Sequence, residues 1–200
     1  MALPKLNTPT YELELPSTAE KIKYRPFLVK EQKVLMMAQD SGEDQQIAEA
    51  MGNLVSSCTF GKVDAETSPM FDLEYVFLKV RGKSVGETVQ LSLICPDDEK
   101  TTVPVNLKLD DIEVQMLDNH TNEINISESV KVVFRYPLLN DMKSMDKDST
   151  DIQKVFHFLV NCMHEIHYDD DVYRRIDLKD KEIEDFIDQF TGEQFELITN

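Results

Sequence analysis

Three histidines and a cysteine near the end of the chain are the residues best suited to chemistry: His157, Cys162, His164 and His167. On a single helix the histidines would share one side, because spacings of seven and three residues return to the same face. Zinc binds imidazole groups arranged in this way. However, Tyr168 stands where an HExxH motif has its second histidine, and Cys162 would point away from His164. We therefore expect no metal site.

Two further patterns resemble cation sites but lack essential ligands. The run from Asp169 to Asp171 could attract calcium, yet Tyr173 and Arg174 break the order of acids and glycine that an EF-hand needs. We interpret the run as a solvated loop. Cys95 begins a CPDD turn, but no second cysteine follows within four residues, so a four-ligand zinc site is not expected.

Signals for cofactors and catalysis are equally weak. The chain has 6 glycines and contains neither GxGxxG nor GxxxxGK[ST], the loops that cradle phosphates. Each of the 3 cysteines, Cys58, Cys95 and Cys162, lies in or beside an apolar pattern, which indicates packed and unreactive thiols. We therefore expect no catalytic residue and no cofactor, and a protein that is not an enzyme.

The composition narrows the class of partner. Among 200 residues, 38 Asp and Glu oppose 21 Lys and Arg, so the formal net charge is -17. A surface of this sign repels phosphate, which argues against general binding to nucleic acid or anionic lipid. The hydrophobic content of 41% predicts a folded core. The sequence has no apolar run long enough to span a bilayer, no apolar signal peptide and an odd cysteine count, so we expect a soluble protein made in the cytosol.

The hydrophobic period then predicts the elements that hold these residues. The first half combines a short β-hairpin with three helices, the third of which should be the most buried. The expected segments are strands at 11–15 and 22–24, helices at 29–40 and 47–58, and a helix at 71–79 that closes at 81–84.

The period changes to two near residue 88 and returns to helical after residue 141. The expected strands lie at 89–93, 103–107, 112–116 and 130–134, with a turn at 119–122. The expected helices are one at 152–166 that Ser149 or Thr150 caps, one from Lys179 to Phe190, and a final turn opened by a capping box at Thr191–Gln194.

This order predicts an α+β fold, with an N-terminal β-hairpin and helices, a central antiparallel β-sheet and C-terminal acidic helices. We place one domain at 1–140, an α+β core, and an acidic helical region at 141–200, which holds 16 acids and 7 bases. No internal repeat is visible in the sequence.

With chemistry disfavoured, a surface that binds protein remains. Its candidate residues are apolar positions in the first and last helical segments: Phe27, Leu28, Met36, Met37, Ile183, Phe186, Ile187 and Phe190. Methionine pairs and aromatic residues are common at adaptable interfaces. Ordinary core packing is the alternative for the first four, and packing on its own domain is the alternative for the acidic C-terminal helix.

Four strings resemble successive blocks of the baseplate hub and hub-assembly protein family of T4-type contractile-tailed phages. They are LPSTAEKIKYRPFLVKEQKVLMMA, NLVSSCTFGKVDAETSPMFDLEYVFLKVRGKSVGETVQLSLIC, NHTNEINISESVKVVFRYP and IEDFIDQFTGEQFELI. The resemblance covers about residues 11–198. Members of the family often carry further cysteines in the hairpin that here holds only Cys95, and often extend past the final FELITN. These departures cast doubt on a family metal site and favour a shortened C-terminus.

The resemblance implies a non-enzymatic phage tail protein that acts in assembly of the baseplate central hub, as a hub subunit or as a hub assembly chaperone. Its implied partners are other tail and baseplate hub proteins. Its implied location is the host cytoplasm during assembly, and the virion tail baseplate if it stays in the particle. The alternative from another class is an acidic inhibitor that mimics DNA and occupies the basic groove of a host nucleic-acid-binding protein.

Overall fold

The chain forms two compact units, which divide between Gln115 and Met116 in a computed structural model that describes residues 6–117, 120–146 and 148–199. The division falls earlier than the expected boundary at residue 140. Strand pairing explains the difference, because the strand at Val130–Phe134 pairs with the strand at Met163–Tyr168 and therefore belongs to the second unit.

The first unit begins as predicted, with an antiparallel hairpin followed by three helices. The elements are β1 (Tyr11–Glu14), β2 (Lys21–Tyr24), α1 (Val29–Ser41), α2 (Asp44–Cys58) and α3 (Met70–Val85). The predicted stripe of α2 is inside, since Leu54, Val55 and Cys58 are buried. Each such aliphatic side chain contributes about 1.5–3 kcal/mol when it is removed from water.

Helix α3 has six buried residues, more than α1 or α2, but it continues beyond its expected end at 81–84. Gly82 favours helix termination in isolation. Here Gly82 is buried, and a Cβ atom built on it would lie 3.9 Å from the side chain of Leu109. This is ordinary van der Waals contact, and the helix continues through Gly82 to Val85.

The second hairpin of this unit also forms as predicted. Strands β3 (Thr88–Ile94) and β4 (Thr102–Lys108) pair in antiparallel register, with Leu91 opposite Val105. They form a two-stranded sheet with no third strand among the described residues.

The expected strand at 112–116 was wrong. A 3₁₀ turn at Leu109–Asp111 follows β4, and residues 112–117 have no regular structure. The ammonium of Lys79 donates to the carbonyl oxygens of Leu109, Asp110 and Ile112 at 3.3, 2.9 and 3.1 Å. These bonds hold the segment against α3, away from any ladder. The expected turn at 119–122 lies partly outside the described residues, because Asn119 is not among them.

The second unit is built on a four-stranded antiparallel sheet in the order β5-β6-β7-β8. Its strands are β5 (Glu123–Asn125), β6 (Val130–Phe134), β7 (Met163–Tyr168) and β8 (Asp171–Arg174). Its helices are α4 (Leu139–Lys143), α5 (Asp151–Cys162), α6 (Asp180–Ile187) and α7 (Gly192–Thr199). Both predicted caps form, since Thr150 accepts from the Gln153 amide at 3.3 Å and Thr191 accepts from the Gln194 amide at 3.3 Å.

The expected helix at 152–166 was wrong in its last turn. Helix α5 ends at Cys162, and the chain turns at once into β7. Met163 and Ile166 are both buried, a spacing of three that also fits a helix. The spacing suits a strand here because the β6–β7 register shifts at Val133/Phe134. Strands β5 and β8 were also not predicted, since both are short and mostly exposed.

Each unit contains the same local arrangement, which we call the arginine clamp. An arginine after a strand donates its backbone N–H to the carbonyl of the cysteine that ends a helix: Arg25 to Cys58 at 3.0 Å, and Arg135 to Cys162 at 2.8 Å. Its guanidinium contacts a carboxylate six residues later, Glu31 or Asp141. The two units therefore share this local arrangement, although no internal repeat is visible in the sequence.

No helix among the described residues is long and apolar enough to cross a membrane.

Candidate protein-interaction surfaces

The three candidate histidines do not lie on one helix. His157 is on α5, where its Nε2–H donates to the carbonyl oxygen of Asp141 at 2.7 Å. His164 and His167 are on β7, and His167 Nε2 lies 3.0 Å from a carboxylate oxygen of Glu165. Within residues 6–117, 120–146 and 148–199, no group of three His, Cys, Asp or Glu side chains could hold a metal ion. The helical premise for a zinc trio was therefore wrong.

All 3 cysteines are free thiols, and Cys58 and Cys162 are buried. Burial raises the pKa of the Cys58 thiol to about 11, and burial likewise raises the pKa of Cys162 to about 11. The clamp arginines oppose this rise but do not reverse it. Neither thiol is therefore poised as a nucleophile. Cys95 is partly exposed at the start of the β3–β4 turn.

Helix α1 presents an exposed apolar side in the first unit. Val29, Met36 and Met37 are exposed on the helix, while Glu31 and Ala38 are buried on its opposite side. Of the predicted residues, Met36, Met37 and Leu28 are thus accessible.

Phe27, the remaining predicted residue of this segment, is only partly exposed. Its backbone N–H donates to the Ser84 hydroxyl at 3.0 Å, which fixes the entry into α1 against α3.

The predicted residues of the acidic C-terminal helix lie mainly inside the second unit. Ile183 and Ile187 are buried in its core cluster, which favours packing on the same domain for these two. Phe186 and Phe190 pack against that cluster at partial exposure, with their rings 5.0 Å apart in a T-shaped contact. Phe186 also lines an apolar cavity of about 240 Å³.

An accessible apolar face on the β3–β4 hairpin was not predicted as a surface. Because side chains alternate along a strand, six aliphatic residues occupy one side of the β3–β4 hairpin. They are Val89, Leu91, Leu93, Val103, Val105 and Leu107. All but Val89 are exposed. We call this set the hairpin face.

One signal in the sequence could have revealed the hairpin face. The fourteen strand residues include one charged side chain, Lys108, in a chain that is 30% charged. A two-stranded hairpin is marginally stable alone, and an aliphatic face of this size normally packs against another surface.

The outer edge of β4 is poorly suited to pairing with a further strand. The backbone bonds Cys95 N to Thr101 O and Leu109 N to Glu87 O, both 2.8 Å, fix which pairs of the ladder are hydrogen-bonded. Pro104 opposite Ser92 then falls in a non-bonded pair, so its missing N–H is on the outer edge. The hairpin therefore offers a partner its face more readily than this edge.

Comparison with protein-family profiles gives a match over most of the chain. The profile of the family described as T4 bacteriophage base plate protein matches residues 8–200, nearly the whole chain. No curated protein and no solved structure matches the chain significantly.

Proposed function

The chain belongs to the T4 bacteriophage base plate protein family, and from this premise we propose that it acts in assembly of the baseplate central hub, as a hub subunit or as a hub assembly chaperone. It does so without catalysis, through contacts with other tail proteins. The family supports a role in the phage baseplate. The hub assignment is supported by the four sequence strings that resemble hub and hub-assembly proteins.

The hairpin face is the observation that carries a binding role. It groups five exposed aliphatic side chains on one side of a two-stranded sheet, and removing such a surface from water favours association. The face carries no charged side chain. Its complement is therefore an uncharged apolar surface.

We assign the hairpin face to another baseplate protein and not to a second copy of this chain. Two copies would bring together chains that each carry a formal net charge of -17, and this repulsion opposes self-association. A baseplate protein whose apolar patch is surrounded by neutral or basic residues avoids that repulsion.

A phage that lacks this protein tests the role. We expect tails to be absent and baseplates to lack the central hub in electron micrographs. Normal infectious particles from the null phage would refute the proposal. Mass spectrometry of purified virions and of assembly intermediates then separates the two roles, because a hub subunit is found in both and a chaperone only in the intermediates.

A matched pair of variants tests the hairpin face itself. Leu93 and Ile94 are neighbours on opposite sides of β3, with exposed fractions of 51% and 63%. We expect Leu93→Ser to reduce co-purification with baseplate proteins and Ile94→Ser to leave it unchanged, with both variants folded by circular dichroism. Equal behaviour of the two, or a dimer of this chain that Leu93→Ser dissociates, would contradict the assignment.

A further inference from the structure

Helices α5 and α6 of the second unit line a groove whose two walls have the same spacing. One wall is an aliphatic and aromatic row on α5, and the other is a row of carboxylates on α6 and at its C-cap. The six residues are Ile152, Phe156 and Val160, and Asp180, Glu184 and Asp188. In both rows the spacing is four residues, about 6 Å along the helix axis. The cavity between them is about 610 Å³.

The apolar wall is accessible along much of its length. Ile152 is 72% exposed, Phe156 is also exposed, and Val160 closes the far end as a buried residue. A second cavity of about 280 Å³ shares Phe156 and Asp188 with the first. It continues the groove to Phe195, whose ring stacks on Phe156 with 5.4 Å between centroids.

The carboxylate wall keeps a negative character. Asp180 is paired with Arg175, and Glu184 is 3.7 Å from the ammonium of Lys181. Around Asp188, no cation of the described part of the chain comes within 4 Å of the carboxylate. The three carboxylates of this wall therefore pair with at most two cations.

We propose that this groove binds an amphipathic helix that carries lysine or arginine along one flank of its apolar stripe. Apolar side chains four residues apart would lie on the α5 row, and basic side chains at the same spacing would face the α6 row. The charge of the rim selects this occupant over a neutral or acidic helix. That the helix comes from another baseplate protein rests on the proposed function, whereas the chemistry of the groove does not.

Synthetic peptides test the chemistry with the full chain. One fluorescein-labelled helical peptide carries a leucine stripe flanked by lysines at i, i+4 and i+8, and a matched peptide carries glutamates there. We expect the lysine peptide to bind at least about tenfold more tightly by fluorescence anisotropy, and its affinity to fall with added salt. Equal affinities, or no binding of the lysine peptide at low salt, would overturn the proposal.

Four single variants locate the peptide. We expect Ile152→Ser and Asp188→Asn each to weaken binding of the lysine peptide several-fold. Their controls, Ile176→Ser and Asp170→Asn, change the same residue types at exposed positions outside both cavities. If the variants and their controls lose the same amount of affinity, the peptide binds elsewhere and the proposal of the groove is overturned.

The result is separable from the hub proposal. Tails that fail in the null phage but assemble normally with Ile152→Ser would reject the groove as an assembly surface and leave the hub role standing. Normal tails in the null phage together with groove-dependent peptide binding would reject the hub role alone.

Discussion

Arg135 contacts Asp141 through two parallel hydrogen bonds, with Nη1 2.7 Å from Oδ2 and Nη2 2.9 Å from Oδ1. The same carboxylate accepts the backbone N–H of Leu138 at 2.7 Å, at the start of α4. In the first unit, Glu31 accepts from Arg25 at 2.9 Å and from the Leu28 amide at 2.7 Å. Each clamp thus ties the end of a strand to the start of a helix.

The clamp of the second unit should contribute measurably to stability. Asp141 is a buried acceptor of three hydrogen bonds, two of them from a cation, so we expect Asp141→Asn to lower the free energy of unfolding by about 2 kcal/mol. Glu128→Gln, an exposed carboxylate of the same unit, is the control and should change it by less than about 0.5 kcal/mol. Urea unfolding measures both. Equal midpoints for the two variants would show that the clamp does not stabilise the fold.

The clamps also predict a dependence of stability on acid pH. Burial opposes ionisation of Glu31 and Asp141, but the hydrogen bonds from arginine and backbone outweigh it, so the pKa of each carboxyl is lowered in the folded state. A lowered pKa stabilises the fold above the unfolded values of 4.5 and 3.8, and this stability is lost as pH falls through the folded values. We expect Glu31→Gln and Asp141→Asn to flatten the loss of unfolding free energy below about pH 4.5. Parallel curves for variants and parent, measured by urea unfolding at several pH values, would contradict this.

The three thiols should differ in reactivity. Cys58 and Cys162 are buried and their pKa is raised to about 11, so few of them ionise at neutral pH, whereas Cys95 is partly exposed. With a disulfide reagent at pH 8 we expect one fast thiol, absent in Cys95→Ser, and two slow thiols that react only on unfolding. Three fast thiols in the native protein would show that the helix ends open readily.

The outer side of α1 should matter for assembly and not for folding. Met37 is 72% exposed, so Met37→Glu places a charge on an apolar surface without disturbing the core. We expect reduced complementation of a null phage at unchanged thermal stability. Gln39→Glu adds the same charge at another exposed position of α1 and should complement fully. If both variants complement equally, this side of α1 faces solvent in the assembled tail.

The local sequence pattern was sufficient to predict a helix where one hydrophobic period dominated and a capping residue could be recognised. The α2 stripe through Leu54, Val55 and Cys58 is buried as its spacing predicts, and Thr150 and Thr191 cap their helices as predicted. These features depend on residues that are a few positions apart in the chain, so a short stretch of sequence is enough to predict them.

Of the eight residues predicted to bind a partner, sequence identified the apolar character but not the exposure. Met36 and Met37 are exposed, while Ile183 and Ile187, equally apolar, are buried in the second unit. Exposure depends on which elements pack on a face, and that is a property of distant segments. The hairpin face is a second example. The alternation of apolar residues predicted its strands, but it did not show that no described segment covers the face.

The sequence by itself determined the α+β composition, the strong helices and hairpins, the acidity and, through its resemblance, the family. Tertiary structure decided the rest. It made residues 163–168 a strand, because β6 supplied a pairing partner. A register shift between β6 and β7 allowed buried residues spaced as in a helix to fit in that strand. It also brought Arg25 and Arg135 to cysteines 33 and 27 residues away. Such contacts form only after loop closure, and no local propensity encodes them.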